Sequence, residues 1–533
     1  MKRWSASAAV LLAFVAALAF RLPNLSLRPF HNDEAVNAIK VTELWQKGHY
    51  AYDPDEYHGP TLHYFTLPSL WLSGAHDASE LKDSTLRLPT VFFGAGLILL
   101  LLLYKDGLDR GSICWAALFL TVSPAMVFYS RYFIHEMLLV FFSALLIGSL
   151  WKYYQTKTAL WAIIAGTSVG LMYATKETFV LTIGAIITAA FATHLVGRAR
   201  RSARAAERPM DVQLPAATNS INFTTLHIAV ALIAALLMWL LFFSSFFTNF
   251  QGLADSIRTY LPWLKRAGGH SPHIHPWFFY FQRLVWFHPA KSPIWSEGLI
   301  AALALIGVIA SLKKRTPLPT FLTLYTIVLT FIYSAISYKT PWCLLNFWFG
   351  AILLAGIGAS FLTSSISVRA MRIGVVVAIL VATGQLAFQT IRGNFLSAPN
   401  GALYAADRRN PYIYAQTVPD LLNLVEKVES IARVAPDKFN TVVKVITADG
   451  DYWPLPWYLR RFKTVGWFDE VPKDPFAPIM IVSAQLDARY DEKSDKKWIM
   501  VRLTELRPQK FLELYVEAEL WKKYVATLPR ESD

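Results

Sequence analysis

About eleven long apolar runs divide the first 390 residues of this chain, and nothing else in the sequence limits the fold so strongly. A helix needs about 20 mostly apolar residues to cross a hydrocarbon core of about 30 Å. The runs lie at roughly 4–20, 86–104, 112–130, 137–151, 158–175, 178–196, 224–247, 295–312, 318–338, 341–362 and 372–390. Hydrophobic residues make up 54% of the chain and charged residues 17%, against about 25% charged in a typical soluble domain. Disordered, fibrous and ordinary cytosolic classes are thereby excluded. The net charge of +14 needs no nucleic-acid partner, because membrane proteins gather basic residues in cytoplasmic loops. Cys114 and Cys343 both lie in apolar runs and offer neither a disulfide framework nor a metal spacing.

Orientation follows from the loop lysines and arginines. Lys2 and Arg3 place the N-terminus in the cytoplasm. Arg21-Leu22-Pro23 follows the first run without a small-residue cleavage site, so that run reads as an uncleaved signal anchor. Alternation then puts three basic groups in cytoplasmic loops: Arg198 to Arg208, Lys313 to Arg315, and Arg369 with Arg372. The expected protein is a multi-pass plasma (inner) membrane protein. Its all-α transmembrane domain occupies 1–390, with external loops at 21–85 and 248–294. A small soluble extracytoplasmic α/β domain occupies 391–533. In that domain Leu421–Ile431 and Pro508–Tyr524 read as helices, while Thr441–Thr447, Ile479–Ser483 and Trp498–Leu503 read as strands. The Arg/Ala-rich stretch 197–220 reads as a flexible cytoplasmic loop.

With this topology, ionisable residues converge on the external face. They are His31, Asp33 and Glu34; His58 and His63; Arg131, His135 and Glu136; Lys176 and Glu177; and Lys339. Charged groups at that depth are costly and point to function. Glycosyl transfer from a lipid-linked sugar phosphate needs this mixture. A carboxylate takes the proton of an acceptor hydroxyl. The anomeric carbon gains oxocarbenium character. Cations stabilise the departing lipid phosphate. These pieces require no metal, though a divalent ion stays open.

Each residue also has a structural reading. Asn32-Asp33-Glu34 is an ordinary helix start, and Glu136 begins another helix. Lys176 and Glu177 could pair within a loop, Arg131 could snorkel to headgroups, and Lys339 could anchor the interface beside Tyr338 and Trp342. His273 and His275 share one side of an extended segment and are weak metal candidates, lacking a neighbouring Cys or acid. The aromatic stretches Trp277–Trp286 and Tyr64–Trp71 look like interfacial helices. Trp457, in Tyr452–Tyr458, could stack on a sugar ring, with burial in the small domain as the favoured alternative.

The ordered set resembles the GT-C superfamily of membrane glycosyltransferases, in its protein O-mannosyltransferase and aminoarabinose transferase branch. Asp33-Glu34 falls on the acidic pair of that branch, His58-Gly59-Pro60-Thr61-Leu62-His63-Tyr64 on its Pro-rich loop motif, and Ser130-Arg131-Tyr132 with Glu136 on its Arg-Tyr and acidic motif. Lys176 resembles a Lys after the fifth span. The pattern is closer still to the archaeal and bacterial flippase-activity-associated glycosylation proteins, through His31–Ala35, Tyr57–Pro60, Tyr338–Trp342 and Pro456–Tyr458. It departs in having Ala35, Val36 and Asn37 where the aminoarabinose transferases place an Arg, and His58 where they place a Lys.

The resemblance implies an inverting glycosyltransferase that uses a polyprenyl-phosphate sugar and a glycan, lipid or protein acceptor. Asp33 would be the base, with Glu34 and Glu136 orienting the acceptor or tuning Asp33. His58, Arg131, Lys176 and Lys339 would hold the donor phosphate. His31, His63, Trp342 and Trp457 would contact acceptor or sugar. The alternative is a non-catalytic protein that binds lipid-linked sugars or assists a flippase in envelope glycan assembly.

Overall fold

The computed structural model describes residues 4–55, 58–206, 221–263 and 273–529. The chain forms two compact units. The first comprises 1–23, 47–66 and 87–394; the second comprises 24–46, 67–86 and 395–533. The second unit thus draws on two pieces of the stretch 21–86 as well as on the C-terminal segment.

Helices stand on all eleven apolar runs. The helices up to the third run are α1 (Trp4–Arg21), α2 (Asn32–Lys47), α3 (Thr61–Leu72), α4 (Asp83–Leu100), α5 (Arg110–Val122) and α6 (Pro124–Ser130). Then come α7 (Glu136–Thr156), α8 (Ala159–Tyr173), α9 (Phe179–Ala206), α10 (Ile221–Phe243) and α11 (Gln251–Arg258). The series ends with α12 (Phe279–Val285), α13 (Gly298–Lys314), α14 (Pro317–Ala335), α15 (Leu345–Ser365) and α16 (Arg369–Phe395). Among the described residues seven helices are long and apolar enough to cross a membrane, or eight if α5 and α6 form one bent span. Helix α9 continues through Ala206, so Arg198 to Arg204 extend a helix where a loop was expected. Good helix formers (Ala and Arg) fill that stretch; 207–220 lie outside the described residues.

The centre of the first unit is α15, which is buried along nearly its whole length. It meets α13 with backbones almost touching. A Cβ on Gly307 would lie 1.9 Å from the Leu354 carbonyl oxygen, and one on Gly358 would lie 1.9 Å from that of Leu303. Small residues at such crossings give the close packing that drives helix association in lipid. By contrast α9, α10 and α16 show large apolar side chains outward, among them Phe191, Ile233 and Val381, as lipid-facing helices should.

The third run is broken at Ser123-Pro124, and α5 and α6 meet at 57°. Pro124 has no N–H to offer the Leu120 carbonyl. The freed carbonyls find other donors. The Arg21 guanidinium reaches Leu120 O at 2.8 Å and Thr121 O at 3.2 Å, and the Thr390 hydroxyl donates to Val122 O at 2.6 Å. At the start of α6, buried Glu297 accepts from Ala125 N–H at 2.9 Å, from the Ser123 hydroxyl at 2.5 Å and from the Trp348 indole at 3.1 Å. The carboxylate sits where the helix dipole favours it.

The second unit holds a five-stranded sheet of β1 (Val443–Ile446), β2 (Val465–Phe468), β3 (Ile479–Ser483), β4 (Trp498–Arg507) and β5 (Lys510–Glu517), in the order β2-β1-β3-β5-β4. The first three strands are parallel; β5 runs antiparallel to both β3 and β4. Helices α17 (Asp420–Val434) and α18 (Ala518–Val525) complete it. Of the helix expected over Pro508–Tyr524, Lys510–Glu517 is thus strand, and only the part from Ala518 onward is helix. Leu512, Leu514 and Val516 are buried at alternate positions, the period of a strand rather than of a helix, and Gln509 turns the hairpin at φ +69°. The stretches Tyr64–Trp71 and Trp277–Trp286 hold α3 and α12, with Trp71 in α3, and Trp277 and Trp286 flanking α12, more than half exposed.

Candidate active site

In the second unit, α2 opens with its acidic pair doing two different jobs. His31 is the N-cap residue. Its backbone N–H is bonded by Glu34 Oε2 at 3.1 Å, the reach-back half of a capping box. Glu34 is fully buried and also faces Arg28 Nη2 at 3.8 Å. The His31 Nδ1 accepts the Asp33 N–H at 3.2 Å, which assigns the ring proton to Nε2. Burial holds the His31 imidazole below its ordinary value, against the pull of Asp33 and Glu34, so a neutral ring is consistent. With capping assigned to His31 and Glu34, the Asp33 side chain stays 50% exposed, its carboxylate 3.7 Å from His31 Nδ1.

Trp457 does not offer a face to a sugar. It is fully buried, its indole N–H donates to Asp83 Oδ1 at 2.8 Å, and the Arg460 guanidinium lies 3.8 Å from its ring centroid. The Tyr458 hydroxyl donates to Asp83 Oδ2 at 2.7 Å. The Pro456-Trp457-Tyr458 motif therefore ties the small domain to the loop helix start at Asp83, all within the second unit.

In the first unit, a second cluster forms where the His58–Tyr64 segment lies against the turn between α8 and α9. Gly59 N–H donates to Thr175 O at 3.2 Å, and Thr61 N–H to Ala174 O at 3.0 Å. A Cβ on Gly59 would lie 2.2 Å from Ala174 O, so glycine is required by the close approach. This clamp sets His58 beside Glu177, with Nδ1 to Oε2 at 2.7 Å. The His58 ring stacks on Trp263 at 5.0 Å and meets His135 edge-on at 5.3 Å. His135 Nε2–H donates to Gly59 O at 2.9 Å. Burial, and then the nearby His58, His63 and Lys176, hold the His135 imidazole well below its ordinary value. His63 is fully buried, stacked on Tyr50 at 4.8 Å, and is not placed to touch a substrate.

Lys176 forms a buried ion pair with Glu136 at the start of α7. Burial alone would depress its ammonium, but Glu136, Cys343 and Glu177 together outweigh burial and the net shift is upward. Thus His58, His63, His135, Glu136, Lys176 and Glu177 come together. Two other expected phosphate ligands are placed on backbone carbonyls instead. Arg131 Nη1 donates to Arg21 O and Pro23 O, each at 2.7 Å, holding the chain where it leaves α1. Lys339 Nζ donates to His275 O at 3.1 Å and to Ile336 O. Trp342 is buried against Tyr132 at 5.9 Å.

His273 packs tilted against Tyr338 at 4.8 Å, and His275 stacks on Phe279 at 4.2 Å. Among the described residues no group of three or more His, Cys, Asp or Glu side chains is disposed to hold a metal. The sequence reading missed Arg21, Arg28 and Glu297 as supports. The signal for Arg21 and Glu297 was Ser123-Pro124 in mid-run, a break whose carbonyls and N–H groups demand buried partners.

No family model matches the sequence, and no curated protein matches it. Solved structures do. ArnT from Cupriavidus metallidurans in the apo state matches with a TM-score of 0.63 at 14% identity, over 97% of this chain and 99% of that one. The same protein bound to undecaprenyl phosphate matches with a TM-score of 0.62 at 14% identity, over 96% and 98%. The fold is of the GT-C type. An Archaeoglobus fulgidus oligosaccharyltransferase tethered to an acceptor peptide also matches this chain, with a TM-score of 0.55 at 12% identity, over 88% of this chain and 64% of that one. At these identities the likeness is one of fold.

Proposed function

We propose that the protein is a multi-pass inner-membrane glycosyltransferase. It moves a sugar from a polyprenyl-phosphate carrier to an acceptor hydroxyl on a glycan, lipid or protein at the extracytoplasmic face. Asp33 acts as the base: its carboxylate takes the hydroxyl proton as the oxygen attacks the anomeric carbon. The glycosidic bond to phosphate breaks with oxocarbenium character and inversion, and the lipid phosphate leaves with the electron pair. His58, backed by Glu177, and Lys176, backed by Glu136, supply positive or donating groups for that phosphate. Glu34, Arg131 and Lys339 act as positioning residues.

One observation carries this reading: the Asp33-Glu34 pair is divided, Glu34 buried in capping and ion pairing while Asp33 stays half exposed. Glu34 serves the helix start, and the half-exposed Asp33 carboxylate is the one of the two that an acceptor hydroxyl can reach. The fold adds support, since ArnT, matched over nearly the whole chain, has been solved with undecaprenyl phosphate bound. The test compares envelope glycans, by mass spectrometry, in cells lacking the protein and in cells restored with the parent or with Asp33→Asn. Loss of a sugar with Asp33→Asn at normal membrane levels supports the reading. Full restoration rejects it in favour of a non-catalytic role.

A further inference from the structure

A partly open cavity of about 400 Å³ lies between α7, α9 and α14. Glu136 begins α7, while the cavity is lined by Ile147 to Tyr154 near the other end of that helix. At about 1.5 Å per residue the cavity is on the order of 20 Å from the Glu136–Lys176 pair, and it is a separate site. Its walls are mostly apolar, with Ile147, Leu150, Ile186 and Phe321 among them.

Two features of the lining call for a ligand with oxygen acceptors. The Trp151 indole N–H and the Thr320 hydroxyl are both buried and have no hydrogen-bond partner among the described residues, and both residues line the cavity. A buried unpaired donor is costly, so one bound acceptor group would relieve a standing penalty. Charge gives the third feature. Arg315 lines the cavity, Arg198 follows the lining residue Gly197 on α9, and the Lys157 ammonium lies 5.2 Å from the ring centroid of Tyr154, which also lines it. An apolar cleft among membrane-type helices, with free donors and a cationic rim, matches one class of molecule.

We propose that this cleft binds an anionic phospholipid, its acyl chains against α7, α9 and α14, its ester or phosphate oxygens on Trp151 and Thr320, and its headgroup at Arg315. The test uses the full-length protein in mild detergent micelles, offered equal amounts of phosphatidylglycerol and phosphatidylcholine and read by native mass spectrometry. The parent retains phosphatidylglycerol preferentially. Arg315→Gln reduces that preference about fivefold, the equivalent of ~1 kcal/mol for one basic residue at an anionic headgroup. Lys314→Gln, whose ammonium lies over the Phe361 ring outside the cavity, leaves it unchanged. Ala190→Trp, which fills the cleft, lowers total bound lipid while the protein stays folded by its unfolding midpoint. The proposal is overturned if the parent shows no preference, if Lys314→Gln loses as much as Arg315→Gln, or if Ala190→Trp keeps its lipid.

Discussion

Removing one half of the Glu136–Lys176 pair should be far more damaging than removing both halves. The two side chains are 3% and 7% exposed, so neither can trade its partner for water. A contact pair gains about 4 kcal/mol at an effective dielectric near 20, and desolvation consumes most of that gain. The net value of the pair is therefore small, but an orphaned charge keeps the full penalty. Glu136→Gln should cost about 3–5 kcal/mol, because it strands the Lys176 ammonium. The combined change Glu136→Leu with Lys176→Met should return to within ~1 kcal/mol of the parent, or exceed it. The assay is equilibrium unfolding in mixed detergent micelles, followed by tryptophan fluorescence and closed as a double-mutant cycle. A Glu136→Gln variant within ~1 kcal/mol of the parent would refute the reasoning, as would a double variant as unstable as the sum of the singles. The same double variant separates a structural from a functional role of the pair: if it folds but no longer transfers sugar, the pair also serves the reaction.

Three other outcomes are expected. Gly59→Ala forces a methyl to within 2.2 Å of the Ala174 carbonyl oxygen; it should destabilise by at least about 1–3 kcal/mol, and limited proteolysis should find the His58 segment loosened. Stability should fall as pH drops below about 6.5, because buried His31 and His135 are held below their ordinary value and the unfolded chain takes up protons first. The loss is up to ~1.4 kcal/mol per pH unit for each histidine; it should shrink in His135→Gln, which keeps a donor for Gly59 O, as followed by thermal midpoints from about pH 5 to 7.5. Glu297→Gln replaces an acceptor of three hydrogen bonds with a side chain whose amide faces donors; it should cost about 1–3 kcal/mol in the same unfolding assay.

The membrane architecture was legible because its signal is long. An apolar run such as 341–362 has no reading other than a buried helix, and α15 spans Leu345–Ser365. The sheet domain was legible only in part. The run Ile479–Val482 is apolar at every position and became most of β3, buried throughout, whereas Lys510–Glu517 mixes charges with aromatics and its period of two was mistaken for a helical face. Among site residues, the acidic pair was visible but its division was not. Which carboxylate caps depends on the backbone geometry at His31, and residue types alone do not carry that. Arg131 and Lys339 were judged by charge, while carbonyls left free at the ends of α1 and α14 decided their partners. Trp457 was judged by its ring, while Asp83, distant in sequence, decided its burial.

The central claim is that Asp33 removes a proton during sugar transfer. Its most direct test is the level of polyprenyl-phosphate-linked sugar in membranes carrying the parent or Asp33→Asn at matched protein amounts, read by mass spectrometry. The substitution leaves Glu34 and His31 to cap α2, so the fold should lose no more than the ~0.3–1 kcal/mol of one helix-dipole interaction. The account predicts that the sugar-loaded carrier accumulates in the variant while the acceptor goes unmodified. Carrier levels equal to the parent's, with the acceptor fully modified, would contradict it.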